Sequence, residues 1–348
     1  MGLGKRLIAT DAAGGADGSA NFQTITYTGN GGSQSTNSLS NQSGTVNFQP
    51  DMVWIKSRSF QQTHSLFDSV RGPTKELQPD SSSFQDNSSV KLVSFDSNGF
   101  TLDSDAAGRV NVNNETFVAW CWKGGGSATD ITSSSTNVSA ASRSANPTSG
   151  FSIVTYTTNS SGSVVIPHGL NSPPSVALVK RTDSNSDWFF YNTVASGKGR
   201  GFLNNTSAFD NGGVPTFDST NLTFQASDPF SSGSSAVIYF FADIAGYQKV
   251  GSYTANGSTT GPSVTTGFEP RFLLIKSVDN ASNWIILDKA RTPNNPMEND
   301  LKANSTAAEQ TGTGNNYPQA TTSATGFQVN TTDGAVNGSG TYIYLAIA

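Results

Sequence analysis

The sequence predicts an all-β protein: three tandem antiparallel β-sandwich repeats, jelly-roll or lectin-like, behind a short extended N-terminal arm. First, an apolar run ending at a lysine corner recurs three times, as MVWIKS at 52–57, VALVKR at 176–181 and FLLIKS at 272–277. Each is followed, after a polar break, by a second run reaching Asp or Asn: THSLFDS at 63–69, SDWFFYN at 186–192 and SNWIILD at 282–288. Second, no useful window carries a helical period, whereas short alternating segments bounded by Gly, Asn, Ser and Pro recur throughout, the pattern of antiparallel sandwiches. Third, the chain is only 13% charged yet holds 21 Phe, 9 Tyr and 5 Trp. Disordered chains are poor in aromatics and rich in charge, so this composition supplies several packed cores.

Taken in order, residues 1–20 form a basic and apolar head, GKRLI, followed by a Gly/Ala-rich tether. Lys5, Arg6, Leu7 and Ile8 are the candidate assembly residues of this arm. Copy 1 spans 21–123 and opens on FQTITYTGN, whose counterparts are FSIVTYTTN at 151–159 and KVGSYTANG at 249–257. Tyr27, Tyr156 and Tyr253 align, each followed by Thr and, three places on, by Asn. Prolines 50, 173, 174 and 270 precede the lysine runs, where a fixed φ is tolerated before any ladder donor is needed.

After the second run, Asp68 and Arg71 match Asp288 and Arg291. SFDSNGFTL at 94–102 aligns with TFDSTNLTF at 216–224 and more loosely with SATGFQVNT at 323–331; Asn98-Gly99 is a hairpin signal. Each copy closes on an aromatic strand: FVAWCW at 117–122, VIYFFA at 237–242 and YIYLAI at 342–347. The Gly/Ser/Thr-rich segment 124–150 reads as a linker, so copy 1 is expected to swing while copy 2 (151–248) and copy 3 (249–348) sit together. The candidate repeat core comprises Tyr27, Trp54, Phe67, Trp120, Tyr156, Val179, Trp188, Phe190, Tyr253, Ile275, Trp284 and Tyr344.

Several function classes lose support. A net charge of −5 with no basic patch argues against nucleic acid. The lone Cys121, within an aromatic run, leaves no disulfide framework or cysteine zinc cluster and reads as a buried, inert thiol. No stretch approaches the ~20 apolar residues of a membrane helix. The opening MGLGKRLIAT is too short and polar for a secretory core, so the expected setting is a cytoplasm with release by lysis.

Catalysis is equally thinly supported. His64 aligns with Trp188 and Trp284, which marks a packing position, and His168 reads as a solvated turn residue. Lys56, Lys180 and Lys276 read as stems lying over apolar surface where the strand leaves the core. The Asp68–Arg71 and Asp288–Arg291 pairs read as local turn clamps, worth little if exposed. No calcium loop or phosphate cradle is present in the sequence, so no metal, cofactor or catalytic residue is expected.

FQPDMVWIKSRS, HSLFDSVRGPTKEL, SFDSNGFTLDSD and NNETFVAWCWKGGG, in that order over roughly residues 22–125, resemble an uncharacterised β-rich module of tailed-phage virion proteins, many from marine and cyanobacterial hosts. Copies 2 and 3 keep the skeleton but lack the paired tryptophans; if Trp120 and Trp122 form that module's surface, the other copies need not share its role. The resemblance implies a structural or host-facing virion protein without catalysis. The expected function is a tail-associated fibre or adhesin subunit, a homo-oligomer with a trimer favoured, contacting other virion proteins and host-surface glycan. The alternative is a capsid decoration or cement protein docked through its N-terminal arm; a glycan depolymerase, which would need clustered carboxylates, is the weaker third.

Overall fold

The computed structural model describes residues 18–87, 91–159, 162–224, 233–312 and 314–348. The candidate arm residues Lys5, Arg6, Leu7 and Ile8 lie outside them. The described chain is nearly all β and antiparallel, with helices only at Gly18–Asn21 and Gly334–Asn337.

Each copy contributes a main sheet with the same central order. In copy 1 the opening strand Phe22–Thr28 pairs with the closing strand Thr116–Trp122, which pairs with the lysine strand Met52–Ser57, which pairs with Ser65–Asp68. Copy 2 repeats this with Phe151–Thr158, Ser235–Phe241, Val176–Arg181 and Phe189–Asn192. Copy 3 repeats it with Gln248–Thr254, Thr341–Ile347, Phe272–Ser277 and Ile285–Asp288. The register places Trp54 opposite Trp120, Leu178 opposite Tyr239 and Leu274 opposite Leu345.

The continuous apolar runs follow from burial on both faces. In the first lysine strand, Met52 and Trp54 enter a core shared by all three copies, while Val53 and Ile55 enter one belonging to copy 1. That second core is completed by Leu92, Phe100 and Leu102 from a small three-stranded sheet. Copies 2 and 3 each have such a small sheet, with Ile166 and Leu222, and Val264 and Phe327, on the outward face of the main sheet.

The shared core runs through the middle of the molecule. Trp54, Trp120, Trp188, Phe190 and Trp284 lie in it. Tyr27 and Phe67 lie in the outer core of copy 1, Tyr156 and Val179 in that of copy 2, and Tyr253, Ile275 and Tyr344 in that of copy 3. Aromatic contacts join the copies directly: Phe22 with Phe272 at 5.4 Å, Trp122 with Phe241 at 6.5 Å and Phe190 with Trp284 at 4.7 Å between ring centroids.

Three expectations are corrected here. The segment 124–150 is not a free linker: Thr129–Asp130 and Val138–Asn146 extend the copy 2 sheet, with Val138–Asn146 paired along the opening strand. Its Ser- and Ala-rich composition suits an edge strand as well as a tether, and only the neighbouring strand decides between them. Copy 1 is not free to swing, because it shares its main core with both other copies. Trp120, one of the candidate core residues, and Trp122 are both buried in that core, so neither forms a module surface. The hairpin at 92–102 is present, but its turn residues are Ser97 and Asn98. Gly99 begins the return strand at φ 138°, where a Cβ would lie 2.3 Å from the Thr36 side chain.

Candidate functional site

The copies meet head to tail, and the same local geometry recurs at each of three junctions. Where copy 2 meets copy 1, Ser186 N donates to Ser82 O at 2.9 Å and Gln85 N to Thr182 O at 3.1 Å. Where copy 3 meets copy 2, Ser282 N donates to Thr206 O at 2.9 Å and Phe209 N to Val278 O at 2.8 Å. Where copy 1 meets copy 3, Gln62 N donates to Thr306 O at 2.8 Å and Glu309 N to Arg58 O at 2.9 Å. Copy 1 therefore contacts copy 3, copy 3 contacts copy 2, and copy 2 contacts copy 1. A heterologous contact that closes makes a ring.

The aligned aromatic position is the hub of each junction. Trp188 Nε1 donates to Gln78 O at 2.8 Å and Trp284 Nε1 to Phe202 O at 2.9 Å, both across a junction. His64 Nε2 lies 3.1 Å from Lys302 O, and its Nδ1 accepts from Trp54 Nε1 at 2.8 Å. An Nδ1 acceptor requires the Nε2–H tautomer, so a neutral imidazole does what the indoles do elsewhere. Burial holds its pKa well below the ordinary value, with Lys56 adding to the effect.

Side chains around this common frame differ. At the junction of copies 3 and 1, Arg291 Nε pairs with Asp288 at 2.6 Å, and Trp120 Nε1 donates to the same carboxylate at 3.0 Å. Glu309 bridges two guanidiniums, accepting from Arg291 at 3.0 Å and from Arg58 through both of its oxygens. At the junction of copies 1 and 2, Arg71 pairs with Asp68 at 2.5 Å and Tyr239 donates to Asp68 at 2.6 Å. These pairs are local turn clamps, each Asp also accepting from the backbone N–H of its Arg, and they are buried rather than exposed. At the junction of copies 2 and 3, Asn192 and Ala195 take the matching places, and Lys276 lies over the Phe209 ring at 5.8 Å.

The junction of copies 1 and 2 carries an open cleft that reaches its arginine. Arg71, Lys75 and Gln85 from copy 1 face Ser142, Thr155, Thr157 and Ser235 from copy 2 around about 220 Å³. Val138–Asn146, the segment read as linker, supplies one wall through Ser142. Gln85 Oε1 accepts from Arg71 Nη1 at 3.0 Å, and the same Nη1 donates to Lys75 O at 2.9 Å. The arrangement offers amide, hydroxyl and cationic groups at one place. No nucleophile–base pair is among them, and no metal-binding cluster is found among the described residues.

Residues 17–348 match a domain of unknown function, DUF7483. The chain belongs to that family. The family match runs across all three copies without a break, as does the shared core. No curated protein and no solved structure matches.

The remaining candidates are structural. Lys56, Lys180 and Lys276 are buried along their whole length, correcting the expectation that their amines leave the core. Their Nζ atoms donate to backbone carbonyls, including Ser57 O at 2.8 Å, Ser186 O at 2.8 Å and Ser277 O at 2.6 Å. Loss of hydration lowers each pKa to about 8. Lys180 also reaches Ser82 O of copy 1 at 3.1 Å, so the lysine corner is itself part of the junction. His168 is buried rather than solvated, with Nε2 3.1 Å from Asp218 O and Nδ1 accepting from Leu170 N at 3.0 Å. Cys121 is buried, and desolvation raises its thiol pKa. No described helix is long and apolar enough to cross a membrane.

Sequence reasoning missed the cleft because its walls lie 50 or more residues apart in the chain. A trace was present: the aligned places Gln85, Phe209 and Glu309 carry three different chemistries on one frame.

Proposed function

We propose that this chain is a non-enzymatic structural protein of a tailed-phage virion, a tail-associated fibre or adhesin subunit that mediates attachment to the host surface. The observation that carries this reading is the closure of three β copies into one body that leaves a hydroxyl-lined cleft at a junction. Each copy is read as a jelly-roll or lectin-like sandwich of main and small sheets. The buried charges and ring N–H groups serve to join copies, which suits a display body more than a catalyst. The virion setting rests on the ordered motifs of copy 1 and their resemblance to phage virion modules. Homo-oligomerisation, with a trimer favoured, would multiply weak contacts with host glycan.

Immunogold electron microscopy of purified virions, with antibody to this chain, tests the reading. Label clustered at the tail is the expected result. Label spread over the head would replace it with a capsid decoration role docked through residues 1–20, and virions without label would overturn both.

A further inference from the structure

We infer that the cleft between copies 1 and 2 binds the carboxylate of an acidic sugar, a uronate or sialate unit at the end or edge of a glycan. The inference deepens the attachment reading by naming the ligand class of that site.

The chain itself supplies the comparison. Gln85 and Glu309 occupy matching places, since each donates its backbone N–H to the matching carbonyl across its junction, Thr182 O and Arg58 O. Each side chain also accepts from the matching arginine Nη1, Gln85 from Arg71 and Glu309 from Arg291, both at 3.0 Å. At the second of these junctions, then, a carboxylate sits beside the arginine and is closed in by Arg58. At the first, Gln85 replaces the carboxylate and Thr182 replaces the closing arginine, and the space stays open.

The charge follows the same logic. Arg291 and Arg58 are balanced by Asp288 and Glu309. Arg71 is balanced by Asp68, but Lys75, exposed at the cleft, has no carboxylate partner among the described residues. The neighbouring Glu76, Asp86, Lys91 and Arg109 pair among themselves and leave no excess of either sign. On the copy 2 wall Asp130 accepts from Ser142 Oγ at 2.7 Å, so the cation without a salt bridge, Lys75, stands on the copy 1 wall, where the twin junction holds a carboxylate.

Ser142, Thr155, Thr157 and Ser235 place hydroxyls along the cleft at which a sugar ring can exchange hydrogen bonds, Thr157 and Ser235 lying 3.0 Å apart, and Val70 and Ala140 add apolar surface. The space of about 220 Å³ is below the ~300–1,000 Å³ of pockets for drug-sized ligands, which suits one ring.

Calorimetric titration of the full chain with glucuronate, galacturonate and N-acetylneuraminate, against glucose and glucuronamide, tests this. At least one acid should bind at least ten-fold more tightly than the neutral sugars, and Lys75→Ala should remove most of that preference. The double variant Gln85→Glu with Thr182→Arg copies the closed junction into the open one. It should abolish binding while keeping the unfolding midpoint at or above that of the parent, which separates a filled cleft from a misfolded chain. No acid binding by the parent, equal binding of neutral sugars, or binding unaffected by the double variant would overturn the inference.

Host polysaccharide separates the two readings. If the double variant still holds it, attachment stands and the cleft assignment falls. If the parent binds acidic monosaccharides but not the host surface, the cleft stands and attachment falls.

Discussion

The junction of copies 3 and 1 and that of copies 2 and 3 use the same pair of backbone hydrogen bonds for different side chains. The first is ionic: Asp288, Arg291, Glu309 and Arg58 form a chain of alternating charge, with Trp120 donating into it. The second is largely apolar: Phe209, Phe190 and Trp284 pack together, and Asn192 caps Ala195 N where the other has Asp and Arg. Backbone bonding sets the geometry and leaves the side chains free to change chemistry. A buried ion pair costs desolvation that good geometry must repay, so an apolar or amide replacement of the whole set is tolerated where loss of one member is not.

The largest expected effect breaks the ionic junction on one side only. Arg291→Met should cost about 3–5 kcal/mol in urea unfolding, because Asp288 is left buried without its cation. Adding Asp288→Asn, the amide that copy 2 uses at Asn192, should recover much of that loss. If Arg291→Met alone costs nothing measurable, the ion pair is not what holds this junction.

A smaller effect separates two neighbours on one strand. Trp120 Nε1 donates to Asp288, whereas the Trp122 Nε1 is buried without an acceptor among the described residues. Both Trp→Phe changes lose volume, but only Trp120→Phe also loses a hydrogen bond to a charged group, worth about 1.5–3 kcal/mol. Trp120→Phe should therefore be the more destabilising by that margin, and equal midpoints for the two variants would remove the role given to the bond.

The smallest concerns Asp80, which stands where copies 2 and 3 have Asn204 and Asn304, each accepting from the backbone N–H at the hub position. Burial raises the Asp80 pKa from 3.8 to about 6. A raised carboxyl pKa means the folded state holds its proton more tightly, so this group's contribution is fullest below pH 3.8 and is lost as pH rises through 6. Asp80→Asn should gain on the order of 1 kcal/mol at pH 7, discounted for partial solvent access, with the gain shrinking between pH 6 and 4. A gain independent of pH would show that the carboxyl charge is not its source.

Much of the strand framework was legible because it is local. Lysine corners, period-two alternation and turn residues each act within a few positions, so MVWIKS, VALVKR and FLLIKS announce their strands from sequence alone. The doubly apolar runs also indicated burial on both faces, as Trp54 and Val53 show. What covers the second face was not legible. Trp120 meets Asp288 across 168 positions and Tyr239 meets Asp68 across 171, and no local pattern records such a pairing.

The same limit explains the lysines and the linker. A lysine at a strand end is normally free to reach water, and only a neighbouring copy such as that bearing Ser82 can close over it. Val138–Asn146 has no strong intrinsic preference and becomes a strand because Phe151–Thr158 offers it an unpaired edge. By itself the sequence determined three copies of one strand framework and their aromatic faces, since these follow from propensity and periodicity within short windows. The tertiary structure decided that the copies close into a ring, which lysines are buried and where a cleft stays open. Those outcomes depend on groups distant in the chain meeting in space, where loss of water and unpaired charge set the energy.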